Sequence, residues 1–199
     1  KPAHLKLSAC TIIRCMYWIK YLFLFLSFIP VYHICLPSDN TCVSGSEIKS
    51  RSSDRDSDGW TFIAPNKVIA CDGEISEWRY QGTASHAFRA VVWRQVPGST
   101  TQFQIVGIND IPASSINIPV TYTVPADKRI RVTAGDMIGW SFGSSVITFD
   151  YDTGSSVRWL GGFLHASLQP GQRHTFSGIG QDRPRDYSIQ AVVETVLLP

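Results

Sequence analysis

The residues best placed to do chemistry are two aspartates in "FDYDTG", residues 149–154. Asp150 and Asp152 are two positions apart, which puts both carboxylates on one side of an extended strand end. Paired carboxylates of this kind hold Ca²⁺ or serve as the acid and base of a glycosidase. The alternative is two solvated residues leading into a glycine turn. A second acidic run, "SRSSDRDSDGW" (50–60), sets Asp54, Asp56, Asp58 and Gly59 at the spacing that opens a helix-flanked calcium loop. That loop needs a glutamate at its twelfth position, which here is Pro65, and "WTFIAPNK" after it reads as a strand. The run is therefore read as a charged linker, with calcium as the only cofactor the acidic residues suggest.

Other chemistries lack their residues. A nucleophile elbow G-x-S-x-G is missing, so His86, His165 and His174 have no serine marked out for them. Neither a phosphate loop nor a cysteine–histidine cluster for zinc occurs. The expectation is a protein that is not an enzyme. Aromatic and cationic residues give recognition candidates instead. Trp159 and Phe163 flank Gly161 and Gly162 in a Gly, Ser, Pro and Arg-rich stretch (153–185) that also holds Arg173 and Arg183. An exposed aromatic platform there binds a sugar face or a protein anchor, and the arginines meet an anionic group. The competing reading is a satellite core beneath a long loop.

The elements that must carry these residues are strands. "ISEWRYQ" (75–81) sets Ser76, Trp78 and Tyr80 against Ile75, Glu77 and Arg79. "HAFRAVVWRQ" (86–95) sets Phe88, Ala90 and Val92 against Arg89, Val91 and Trp93, so Trp93 points away from Phe88. "TQFQIVGIN" (101–109), "PVTYTVP" (119–125) and "YSIQAVVETV" (187–196) alternate likewise. In "RIRVTAGDMIGWSF" (129–142), Ile130 and Val132 face inward. Ala134-Gly135-Asp136 then reads as a hairpin corner, in which Asp136 bonds the turn's own amides. Nine or ten such runs, one face apolar and the other polar, predict an all-β antiparallel two-sheet sandwich, jelly-roll-like.

Ahead of the sandwich, Lys1, Lys6, Arg14 and Lys20 precede the apolar run "YLFLFLSFIPVYHICL" (21–36). Basic then apolar is the order of a secretory signal, and the run is short for the ~20 residues of a membrane span. Val43-Ser44-Gly45 offers a signal peptidase small residues. The predicted layout is a signal peptide or signal anchor over 1–45, outside the fold, a charged linker over 46–58 and a β-sandwich over 59–197. Contact with a membrane would come only through an uncleaved leader. Cys42 and Cys71 can form a disulfide if cleavage falls before Cys42, whereas cleavage after Gly45 leaves Cys71 alone. From Ser46 onward 14 basic residues face 15 acidic ones, which argues against nucleic acid as a partner.

The ordered series "GWTF", "GEISEWRY", "AVVWR", "FQIVGIN", "YTVP", "IRVTAGDMIGWSF" and "YSIQAVV" resembles an uncharacterised extracellular β-sandwich module of secreted and cell-surface proteins of marine invertebrates. The resemblance implies a sandwich fold and an extracellular address, and it carries no catalytic residues. The expected role is a secreted or cell-surface binding or adhesion module, meeting a glycan or an extracellular protein through loops at one end. A self-assembling structural module is the alternative, and a glycoside hydrolase using Asp150 and Asp152 comes after it.

Overall fold

The computed structural model describes residues 40–52, 58–162, 164–177 and 182–195. The apolar leader run, Asp54 and Asp56, and Phe163 lie outside them. The described residues form an all-β sandwich of two antiparallel sheets, as the alternation predicts. The five-stranded sheet has the order β1 (Thr41–Gly45), β12 (Ile189–Glu194), β3 (Gly73–Gln81), β6 (Pro119–Thr123), with β7 (Arg131–Val132) also pairing β3. The seven-stranded sheet runs β10 (Arg173–Thr175), β5 (Gln102–Ile111), β4 (Phe88–Gln95), β8 (Met137–Phe142), β2 (Thr61–Val68), β9 (Phe149–Leu160), β11 (Asp182–Tyr187).

Large side chains fill the space between the sheets. Phe62, Phe88, Trp140, Phe142 and Phe149 meet Ile75, Trp78, Tyr80, Ile189 and Val193 in one cluster. Each contributes about 1.5–3 kcal/mol by leaving water. The rings of Phe62 and Trp140 stack at 5.5 Å, and Trp140 and Tyr187 lie 4.5 Å apart. Trp93 does point away from Phe88, but its face is also covered. Ile63, Val91, Trp93, Phe103, Ile105 and Met137 build a second cluster, closed by Leu168 and Phe176 from residues 161–177. Gly139 makes this possible: a Cβ there would sit 2.2 Å from the Phe62 carbonyl oxygen and 2.5 Å from Trp93 Nε1. The Trp93 indole donates to that same carbonyl at 3.2 Å.

Three departures from simple alternation matter. The β3–β12 register steps from Glu77 to Ile75 and skips Ser76. This bulge returns Ile75 to the core side beside Trp78, correcting the expected polar placement. The 187–196 run is two strands, because the chain passes from one sheet to the other at Ser188. Ala134-Gly135-Asp136 is likewise a turn between sheets and not a hairpin corner, since β7 and β8 belong to different sheets. Gly135 has φ +102°, and buried Asp136 accepts the Thr133 amide as expected. Arg94 adds two bonds to its carboxylate, at 2.7 and 2.8 Å.

The predicted boundaries at 45/46 and 58/59 are corrected. Thr41–Gly45 is a strand that pairs antiparallel with β12 over five positions, so Val43-Ser44-Gly45 lies inside the domain. Within residues 46–52, Ser46 and Arg51 are buried while Glu47, Lys49, Ser50 and Ser52 are exposed, and residues 53–57 of the expected linker lie outside the described ones. A disulfide joins Cys42 to Cys71 and fastens this first strand to the chain entering β3.

Candidate functional site

The structure pairs Asp150 with a carboxylate distant in the sequence. Asp150 stands directly across the β9–β11 ladder from Asp186. Like charges in that position repel. Arg51 resolves the conflict: its Nη1 donates to both Asp150 Oδ2 and Asp186 Oδ2 at 3.0 Å. Its Nε donates to Ser188 Oγ at 2.8 Å and its Nη2 to the Glu47 carbonyl at 2.9 Å. The guanidinium head is thus satisfied on all three nitrogens while nearly excluded from water. Asp150 Oδ1 accepts the amide and the hydroxyl of Ser52, and Asp186 Oδ1 is met by the Ser46 hydroxyl and by Lys67 Nζ.

Asp152 is not joined to this cluster by a ladder. The β9–β11 register jumps between Tyr151 and Ser156, leaving residues 152–155 as an insertion with Gly154 at φ +73°. Across the ladder Asp150 meets Asp186, and the side chain of Asp152 lies outside the described ones.

The charge states follow from the contacts. The Ser52 amide, acting against burial and helped by the Ser52 hydroxyl and Arg51, holds Asp150 below the ordinary carboxylate range. Burial pushes Asp186 upward, but the Ser46 hydroxyl, Arg51 and Lys67 together outweigh it and hold it low as well. A glycosidase needs one carboxyl kept protonated beside an ionised one. Here both are drawn the same way, and the chain's own arginine stands where a cation would. Among the described residues no group of three or more His, Cys, Asp or Glu side chains converges as a metal cage.

The aromatic platform is also rearranged. Trp159 is 8% exposed, part of the main core, and stacked on Trp60 with centroids 5.6 Å apart and planes 12° apart. The Arg185 guanidinium lies over it at 5.1 Å, and over Phe149 and Tyr151 at 4.8 and 5.2 Å. So Trp159 offers no free face. Tyr151, 48% exposed, is the ring that reaches solvent at this edge. Arg173 and Arg183 are both exposed, but they sit on β10 and β11, the opposite edges of the seven-stranded sheet. Arg173 is thereby separated from Arg183, which stands across the β9–β11 ladder from Val157.

Residues 164–177 lie against the outer face of the seven-stranded sheet. Leu164, Leu168 and Phe176 pack on the second cluster, and β10 pairs β5. Arg89, anchored by Asp110 at 2.8 Å, donates to the carbonyls of His165 and Leu168 at 2.9 and 3.1 Å. Burial, with Arg89 adjacent, holds the His165 imidazole below its ordinary value, and its Nδ1 is buried without a partner. The satellite core read from the sequence exists, built from Leu168 and Phe176 and not from Trp159.

The end of the sandwich near Gly82 presents what the sequence reading passed over. Residues 112–118 join β5 to β6. They carry Ile116 and Ile118, 46% and 53% exposed, on either side of Asn117 at φ +59°. The Asn117 amide donates to the Gly82 carbonyl at 2.7 Å, and Gln81 Nε2 donates to the Asn117 carbonyl at 3.3 Å. Tyr80 and Ser114 join their hydroxyls at 2.5 Å at the base. The signal was available in "PASSINIP": two isoleucines in an otherwise polar turn sequence.

No known protein family, curated protein or solved structure matches this chain.

Proposed function

We propose that the domain is a secreted or cell-surface module that binds without turnover, and that its partner is a protein met by residues 112–118. The observation that carries this reading is the pair Ile116 and Ile118, held outward by a loop whose backbone is already pinned. Apolar side chains on an exposed loop of a rigid scaffold are features of recognition surfaces. A pinned loop loses little conformational freedom on docking, so more of the contact energy appears as affinity. The Cys42–Cys71 disulfide and the basic-then-apolar leader support an extracellular address. Tyr151 supports a second reading, in which its solvent-facing ring, backed by Phe149 at 4.8 Å, takes a sugar face.

The test probes arrays of extracellular proteins and of glycans with the oxidised chain, alongside I116D/I118D and Y151A. The expected result is saturable binding to a protein that weakens at least tenfold in I116D/I118D and is unchanged in Y151A. Binding confined to glycans and lost in Y151A establishes the second reading. Protein binding indifferent to I116D/I118D overturns the role of the loop.

A further inference from the structure

The outer strands of the two sheets are not equally protected against pairing with another chain. β11 carries Pro184 among Asp182, Arg183, Arg185 and Asp186, and β10 is three residues long with Arg173 at its start. β6 opens on Pro119. Proline, charge and brevity are the devices by which natural sheets discourage edge-to-edge addition. β1, "TCVSG", is as short as β6 but lacks the other two. It has no charge and no proline, and Val43 is 50% exposed.

The hydrogen-bond parity shows which groups β1 offers. Asn40 accepts from the Thr195 amide at 2.7 Å, and the Ser46 amide donates to Ile189 at 3.1 Å. In an antiparallel ladder, bonded positions alternate. Cys42 and Ser44 therefore use their backbone groups on β12. Thr41 and Val43 direct their N–H and C=O groups outward, and among the described residues nothing pairs with them. The Cys42–Cys71 disulfide fastens the strand in extended form, so the edge is held ready for pairing.

We propose that β1 is the surface through which two copies of this chain associate, by antiparallel β1–β1 pairing centred on Val43. Such pairing places Val43 opposite Val43 and Thr41 opposite Gly45. It sets no charge against a like charge, and it joins the two five-stranded sheets into one. In the same arrangement β6 and β11 would meet proline, and β10 offers only three residues. A second copy is the occupant because the strand is uncharged and complementary to itself about its centre. The inference is independent of residues 112–118.

The test is sedimentation velocity of the oxidised full chain across a concentration series, with V43K, T41K and I116D/I118D in parallel. Amide hydrogen exchange is followed at Val43. The expected result is a reversible dimer whose dissociation constant rises at least tenfold in V43K and in T41K, and is unchanged in I116D/I118D. Val43 exchange slows as the dimer fills. Both substituted side chains are exposed, and T41K serves if V43K does not fold. A monomer at every concentration overturns the proposal, as does a dimer insensitive to both lysines. Val43 protection that persists in the monomer also overturns it, since another part of the chain would then hold this edge.

Discussion

Replacing Arg51 by methionine isolates the cross-strand carboxylate pair. The substitution keeps most of the apolar stem and removes a guanidinium that is 1% exposed. It leaves Asp150 and Asp186, whose side chains are 25% and 21% exposed, facing each other without their shared cation. Breaking a fully buried ion pair by removing one partner costs about 3–5 kcal/mol. Both carboxylates keep some water and Lys67 still reaches Asp186 at 3.5 Å, so the lower end applies, about 3 kcal/mol near pH 7. For a domain of this size that corresponds to a fall in Tm of roughly 6–12 °C.

The pH dependence distinguishes this from mere loss of packing. Both carboxylates are held low in the native fold, so their contribution is present above their unfolded pKa and is lost as pH falls through the folded values. In R51M the repulsion eases as either carboxyl takes up a proton. The stability gap between the two proteins therefore narrows as pH drops below about 4. Urea denaturation at pH 7 and pH 3, with R51M/D150N/D186N as a third protein, measures it. Uncharged amides in place of the carboxylates should restore part of the loss at pH 7. A deficit under about 1 kcal/mol at pH 7, or an equal deficit at both pH values, refutes the reasoning.

Two further outcomes follow from the same structure. The His165 imidazole is held below its ordinary value, so the neutral ring stabilises the fold above about pH 6.5, and that contribution is lost as pH falls below it. Limited proteolysis within residues 161–177 should accelerate from pH 7.5 to pH 5.5, and H165Q should abolish that acceleration. Removing the disulfide as C42S/C71S, across a separation of 29 residues, should cost about 3–4 kcal/mol and make the melting temperature insensitive to reductant.

Much of the architecture was legible because apolar alternation survives in each strand, and because turn residues such as Gly98 and Gly135 mark the breaks. The errors lie where the polypeptide changes its partner without changing its pattern. Tyr187, Ile189, Ala191 and Val193 keep perfect alternation through Ser188, so nothing in the letters marks the change of sheet. Ile75 was misplaced because a bulge depends on the opposite strand, more than a hundred residues away. Arg51 shares a serine and aspartate-rich stretch with Arg55, nothing local distinguishes the two, and its partner Asp186 is 135 residues distant. Short, polar β1 resembled the tail of a leader, and only its ladder with β12 shows otherwise. Trp159 was drawn inward by Trp60 and Arg185, an arrangement that local sequence does not encode.

The bond between Cys42 and Cys71 also has a mechanical consequence. A load applied through the polypeptide that precedes Thr41 reaches the first sulfur after two residues and passes directly to Cys71. The 28 residues between them, which include β2 and the Arg51 contacts, are shunted out of the line of force. Traction from that side is then delivered to the sheet at the start of β3, and the intervening loop cannot be drawn out until the sulfur bridge is reduced. If the domain hangs from a surface by its leading segment, reduction of one bond decides how much slack that tether can release.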